Sequence, residues 1–84
     1  MKRLTLDEVV KLIQTADIVT IEHGSHLGYL GYCGWDGNRY TLGVDDRDDI
    51  LLRGTMVFDV VDNNSIYIPD EDISIRLYQT MEIK

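Results

Sequence analysis

The stretch from Leu27 to Val44, LGYLGYCGWDGNRYTLGV, constrains this chain more than any other. It carries five of the seven glycines, the single Trp (Trp35), the single Cys (Cys33) and three of the five tyrosines. Glycine at that density among aromatic and β-forming residues marks strands that must bend. The stretch reads as a long hairpin turning at Asp36-Gly37-Asn38. A two-residue turn at Asp36-Gly37 pairs Cys33 with Tyr40, and one at Gly37-Asn38 pairs Cys33 with Leu42. Both registers put Leu27, Tyr29, Cys33 and Trp35 on one face with Tyr40, Leu42 and Val44, since only a one-residue slip inverts the faces.

The preceding strand makes the opposite demand. Ile18 to His23 is rich in β-branched residues, and Gly24-Ser25, flanked by His23 and His26, suits a two-residue hairpin turn. That turn aligns Val19 and Ile21 with Gly28 and Leu30, and so buries even positions, Tyr32 among them. One flat strand cannot bury both sets. A strand that bends and changes sides can, with Gly28, Gly31 and Gly34 as flexible points, as the corner strand of a small closed barrel does. The alternative is a central strand covered on both faces, one of them by the N-terminal helix.

That helix spans residues 5–15. Thr5 and Glu8 form a capping box, Leu4 and Val9 occupy the staple positions, and Asp7 and Glu8 suit the positive end of the helix dipole. Leu6, Val9, Val10 and Ile13 make one apolar face, widened by Leu12. Later in the chain, Asp45 to Arg53 is a charged loop with a short apolar run. Thr55 to Val61 is a strand with Met56, Phe58 and Val60 on one face. Asn63-Asn64 suits a type I′ turn, because Asn tolerates positive φ. Ser65 to Ile68 returns as a strand, Pro69 to Asp72 makes a single helical turn, and Ile73, Ile75 and Leu77 alternate with Ser74, Arg76 and Tyr78 as a half-buried strand.

The expected fold is therefore mostly β (α+β): one domain over residues 1–84, with helix 5–15 followed by a strongly bent antiparallel sheet of five to six strands over 18–78. This order resembles an SH3-like or Sm-like small barrel in its layout. The Asp and Asn-Gly signatures by which Sm-type proteins hold RNA bases are absent from the chain, so the resemblance implies a fold and no site.

Composition narrows the function classes. Fifteen acidic residues against eight basic ones give a net charge of −7, which repels nucleic-acid phosphates and anionic lipid. The partner expected is a basic protein, without direct nucleic-acid or membrane contact. A lone Cys makes no internal disulfide, the N-terminal residues have no apolar signal-like run, and no apolar stretch approaches the ~20 residues of a membrane span. A cytoplasmic protein is the expectation.

The chemistry-bearing residues are few. His23 and His26 flank a turn and begin a metal site, but zinc takes three or four ligands. Cys33 beside either His suggests a thiol nucleophile, yet a mid-strand position on the core face suits a small buried hydrophobe better. Asp45, Asp46, Asp48 and Asp49 do not make an EF-hand, since Ile50 and Met56 stand where that loop needs Gly and an acid. No cofactor is expected. The carboxylates read best as an interaction surface, with Asp45, Asp46, Asp48 and Asp49 first and Asp70, Glu71 and Asp72 second. Carboxylates spaced along a rim imitate phosphate spacing and occupy basic grooves, as in small acidic anti-restriction and anti-CRISPR inhibitors of phages and mobile elements. The leading expectation is a non-enzymatic protein that docks this surface on a basic partner. One alternative is an Sm-like module that self-assembles through strand edges, with Ser74, Arg76 and Lys84 guarding the edge. The other is a small metal or thiol protein using His23, His26 and Cys33. Tyr32, Tyr67 and Tyr78, off the core face, are candidate interface anchors.

Overall fold

A computed structural model describes residues 3–35, 39–45 and 47–79. In chain order the elements are β1 (Arg3–Leu4), α1 (Leu6–Thr15), β2 (Ile18–His23), β3 (His26–Trp35), β4 (Tyr40–Val44), β5 (Ile50–Leu52), β6 (Phe58–Asp62), β7 (Ser65–Ile68) and β8 (Ile73–Tyr78). The strands form one antiparallel sheet in the order β1-β6-β7-β8-β2-β3-β4-β5. The fold is α+β and mostly β, as expected.

Two expectations are corrected. There are eight strands rather than five or six, because β1 and β5 are two and three residues long, too short to show alternation in a sequence. The sheet is also not closed: β1 and β5 are its two ends and do not pair. The burial that barrel closure would supply comes instead from α1, whose Val9 and Ile13 join the core.

The helix begins as its sequence dictates. The Glu8 amide donates to Thr5 Oγ1 at 3.2 Å and the Thr5 amide to Glu8 Oε1 at 2.9 Å, a reciprocal cap that satisfies two orphan donors. Val9, Val10 and Ile13 are buried, whereas Leu12 stays 40% exposed and does not widen the face. The core draws on both ends of the sheet: Leu42, Ile50 and Leu52 from one, Phe58, Ile66 and Ile68 from the other, with Ile21, Ile73 and Ile75 between them. A sheet whose ends share one core is strongly curled. Each of these fully buried side chains contributes on the order of 1.5–3 kcal/mol.

The strand β3 does change sides, and the device is a bulge. With β2 it pairs Ile21 with Gly28 and His23 with His26, the two-residue turn expected, with Gly24 at φ +60. With β4 it pairs Leu30 with Val44, then Tyr32 with Gly43 and Cys33 with Leu42. Gly31 is thus one extra residue. Before it, the core side holds Gly28 and Leu30; after it, Cys33. Leu27 and Tyr29 are consequently 64% and 62% exposed, against the expectation that they join Cys33 inside. Tyr32, just past the bulge, is also turned out, and its ring lies over Gly34 and Gly43. Trp35 follows Cys33 in parity but lies beyond the core, 55% exposed, tilted against Tyr40 with ring centroids 5.3 Å apart. The observed Trp35–Tyr40 and Cys33–Leu42 pairs are those of the Gly37-Asn38 register; the turn itself, residues 36–38, lies outside the described residues. Gly28 is required by close approach, since a Cβ there would meet Val44 Cγ1 at 2.7 Å and the Asp45 carbonyl at 3.0 Å.

The Asn63-Asn64 turn is not of type I′. Among the described residues Asp72 is the non-glycine with positive φ. The turn is shaped by Asp62, whose Oδ1 accepts from the Asn64 amide at 2.8 Å, and by a second bulge at Val61 between β6 and β7.

Candidate functional site

Two acidic loops converge at one end of the curled sheet. The first joins β4 to β5. Its entry is fixed by backbone bonds: the Asp45 amide donates to the Tyr29 carbonyl at 3.2 Å, and His26 Nε2 donates to the Asp45 carbonyl at 3.0 Å. Arg47 Nε donates to the Asp48 carbonyl at 3.1 Å, leaving the Asp48 and Asp49 side chains exposed. Asp46 lies outside the described residues.

The second loop, residues 69–72, joins β7 to β8. The Glu71 amide donates to the Ile68 carbonyl at 3.3 Å and the Asp72 amide to the Pro69 carbonyl at 3.4 Å, the successive i to i+3 bonds of a single tight turn. Asp72, at φ 52, ends it, in the left-handed region that Asp tolerates better than most residues. Two of its carboxylates hold the fold. Asp70 Oδ2 accepts from the Val57 amide at 3.0 Å, tying the turn to the segment before β6. Asp72 Oδ1 accepts from the Tyr67 hydroxyl at 2.6 Å. That bond, with some desolvation and the carboxylate's charge, pushes the Tyr67 pKa above its ordinary value.

Asp49 and Glu71, from the two loops, line one hollow of about 170 Å³. Arg47, Arg53 and Met56 line it as well. Arg47 Nη1 is shielded from solvent and has no hydrogen-bond partner among the described residues, a costly position for a cation. The rim is therefore acidic with two arginines set into it, not an unbroken row of carboxylates. All described members of the expected set, Asp45, Asp48, Asp49, Asp70, Glu71 and Asp72, are exposed; Asp70 and Asp72 each also hold a local hydrogen bond. The arginines were missed because a loop reads as its majority charge in sequence.

The remaining candidates fall elsewhere. His23 and His26 face each other across the first hairpin, with His26 engaged by Asp45. Cys33 stands beyond the Gly31 bulge, and burial pushes its thiol pKa up, away from the thiolate a nucleophile needs. Among the described residues no group of three or more His, Cys, Asp or Glu side chains is placed to hold a metal ion. No helix among them is long and apolar enough to cross a membrane. Strand β8, with Ser74 and Arg76, is flanked by β7 and β2; it is not the edge that the self-assembly alternative requires. The edges are β1 and β5, both short, a common protection against edge-to-edge pairing.

Comparison with protein-family models, with curated proteins and with solved structures finds no match.

Proposed function

We propose that the chain is a non-enzymatic binding protein that docks the rim formed by its β4–β5 loop and 69–72 turn onto a basic site of a partner protein. The supporting observation is the convergence of the two loops, with Asp49 and Glu71 lining the same hollow although 22 positions apart in sequence. Asp45 and Asp48 extend the same acidic loop, and a net charge of −7 accelerates encounter with a cationic surface. A single free Cys33 suits a reducing, cytoplasmic setting. In this reading the exposed Arg53 sets register on the partner, offering a guanidinium fork to a carboxylate. Inhibition of a nucleic-acid-binding protein, of the anti-restriction or anti-CRISPR kind, is the form of this function in which phosphate-like carboxylates matter most.

The test is capture of a partner from a cell extract by the immobilised chain, followed by titration of that partner against charge-reversed variants. Reversal of Asp45, Asp48 and Asp49 together is expected to weaken binding at least about tenfold, with wild-type binding falling steeply as salt rises. A partner that is not basic, or binding indifferent to both changes, overturns the reading.

A further inference from the structure

The outer face of β8, β2 and β3 carries an apolar patch that the rim does not explain. Ile18, Leu27, Tyr29 and Tyr78 are 50%, 64%, 62% and 46% exposed and line one groove of about 560 Å³. Thr20, between them, is only 7% exposed, so the patch is continuous. Contiguous apolar surface of this kind on a small chain marks an interaction site. Glu22 and Arg76 line the same groove, and neither has an ion-pair partner among the described residues.

We propose that this face binds a second copy of the chain across a two-fold axis, with Glu22 of each copy against Arg76 of the other. The charges select the occupant. A strongly basic partner would meet Arg76 in the groove, and an acidic one would meet both Glu22 and the net charge of −7. A surface with one anion and one cation, both unpaired, is complemented by itself.

The register makes the pairing geometrically consistent. Arg76 stands opposite Thr20, Glu22 opposite Ser74, and Ile18 opposite Tyr78; across β3, Thr20 stands opposite Tyr29 and Glu22 opposite Leu27. Neighbouring strands are about 4.8 Å apart, and same-face residues about 7 Å apart along a strand. On that lattice, the in-plane two-fold that exchanges Glu22 with Arg76 carries Leu27 onto the Ile18–Tyr78 end of the second copy. It also brings Tyr29 beside its own mate, with the two sheets crossing steeply, as orthogonally packed sheets do. The apolar groups thus meet one another when the charges do.

The experiment is sedimentation equilibrium on the full chain, the E22R variant, the R76E variant and an equimolar mixture of the two variants, with circular dichroism confirming that each folds. The wild-type chain is expected to dimerise, each variant alone to associate at least about tenfold more weakly, and the mixture to regain the wild-type affinity, because both interfacial contacts again join opposite charges. Dimerisation is expected to strengthen between about 0.01 M and 0.15 M ionic strength, as the Debye length falls from about 30 Å to about 8 Å and repulsion between two acidic chains is screened. The triple reversal at Asp45, Asp48 and Asp49 leaves the dimer intact. A wild-type chain that stays monomeric at every concentration and salt, or single variants that dimerise as the wild type does, overturns the proposal. A mixture no tighter than its parts also overturns it.

Discussion

The Tyr67 hydroxyl donates to the Asp72 carboxylate at 2.6 Å, closing the 69–72 turn onto the strand that leads into it. The bond needs the phenol protonated, and the Tyr67 pKa in the fold is raised above its ordinary value of 10.0. A group whose pKa is raised by folding contributes stability that is whole below the unfolded value and lost as pH rises through the folded one. The urea midpoint of wild type is expected to exceed that of Tyr67→Phe at neutral pH. The gap should close as pH rises above about 10. Parallel midpoint curves across that range would show that the bond adds nothing.

Asp70 and its acidic neighbours differ in what they hold. Asp70→Ala leaves the Val57 amide without its acceptor and is expected to cost about 1–2 kcal/mol in urea unfolding. Asp48→Ala and Asp49→Ala, on exposed side chains, should stay within about 0.5 kcal/mol of wild type. The comparison separates carboxylates that maintain the fold from those free to meet a partner.

Deletion of Gly31 and its replacement test different properties of the bulge. Deletion removes the bulge and makes Leu30, Tyr32 and Cys33 consecutive partners of Val44, Gly43 and Leu42, with Tyr32 still outward and Cys33 inward. The strand loses its local bend but no face is inverted, and a loss of about 1–2 kcal/mol is expected. In Gly31→Ala the new Cβ finds only the Gly43 carbonyl, at 3.9 Å, and stability should change by less than about 1 kcal/mol. Thermal melts of the two variants, read side by side, distinguish the inserted residue from its identity.

Cys33, partly buried and with its thiol pKa raised, should be alkylated by iodoacetamide more slowly than an unfolded reference at the same pH. Addition of urea through the unfolding transition should abolish the difference. Equal rates in the folded and unfolded chain would place the sulfur in open solvent.

Much of this fold is legible in the sequence where local chemistry decides. The Thr5–Glu8 cap, the Gly24-Ser25 turn and the alternation of Ile73, Ile75 and Leu77 each signal their element directly. The conflict between even and odd burial along β3 was also legible, as a demand for a strand that changes sides. Its solution was not, because three glycines offered a bend and only the register with β4 shows that Gly31 is the extra residue. Closure failed for a different reason. Whether two sheet ends meet depends on strands as short as Arg3–Leu4 and Ile50–Leu52, which carry no periodic signal. At the rim, the exposed aspartates were visible as a charge run. The bond from the Val57 amide to Asp70 and the burial of Arg47 Nη1 depend on segments that meet only in three dimensions.

The Gly31 bulge acts on β3 as a frameshift acts on a message. Upstream of it, the odd positions Leu27 and Tyr29 face water and the even ones Gly28 and Leu30 the core; just downstream, even Tyr32 faces water and odd Cys33 the core. A lysine placed at Tyr29 meets water, whereas a lysine four residues later, at Cys33, meets the core. Sequence drift in this strand is therefore governed by two opposite grammars joined at one residue: loss of Gly31 leaves both intact, whereas an insertion or deletion elsewhere between Leu27 and Trp35 turns side chains to the wrong face unless a second one nearby restores the frame.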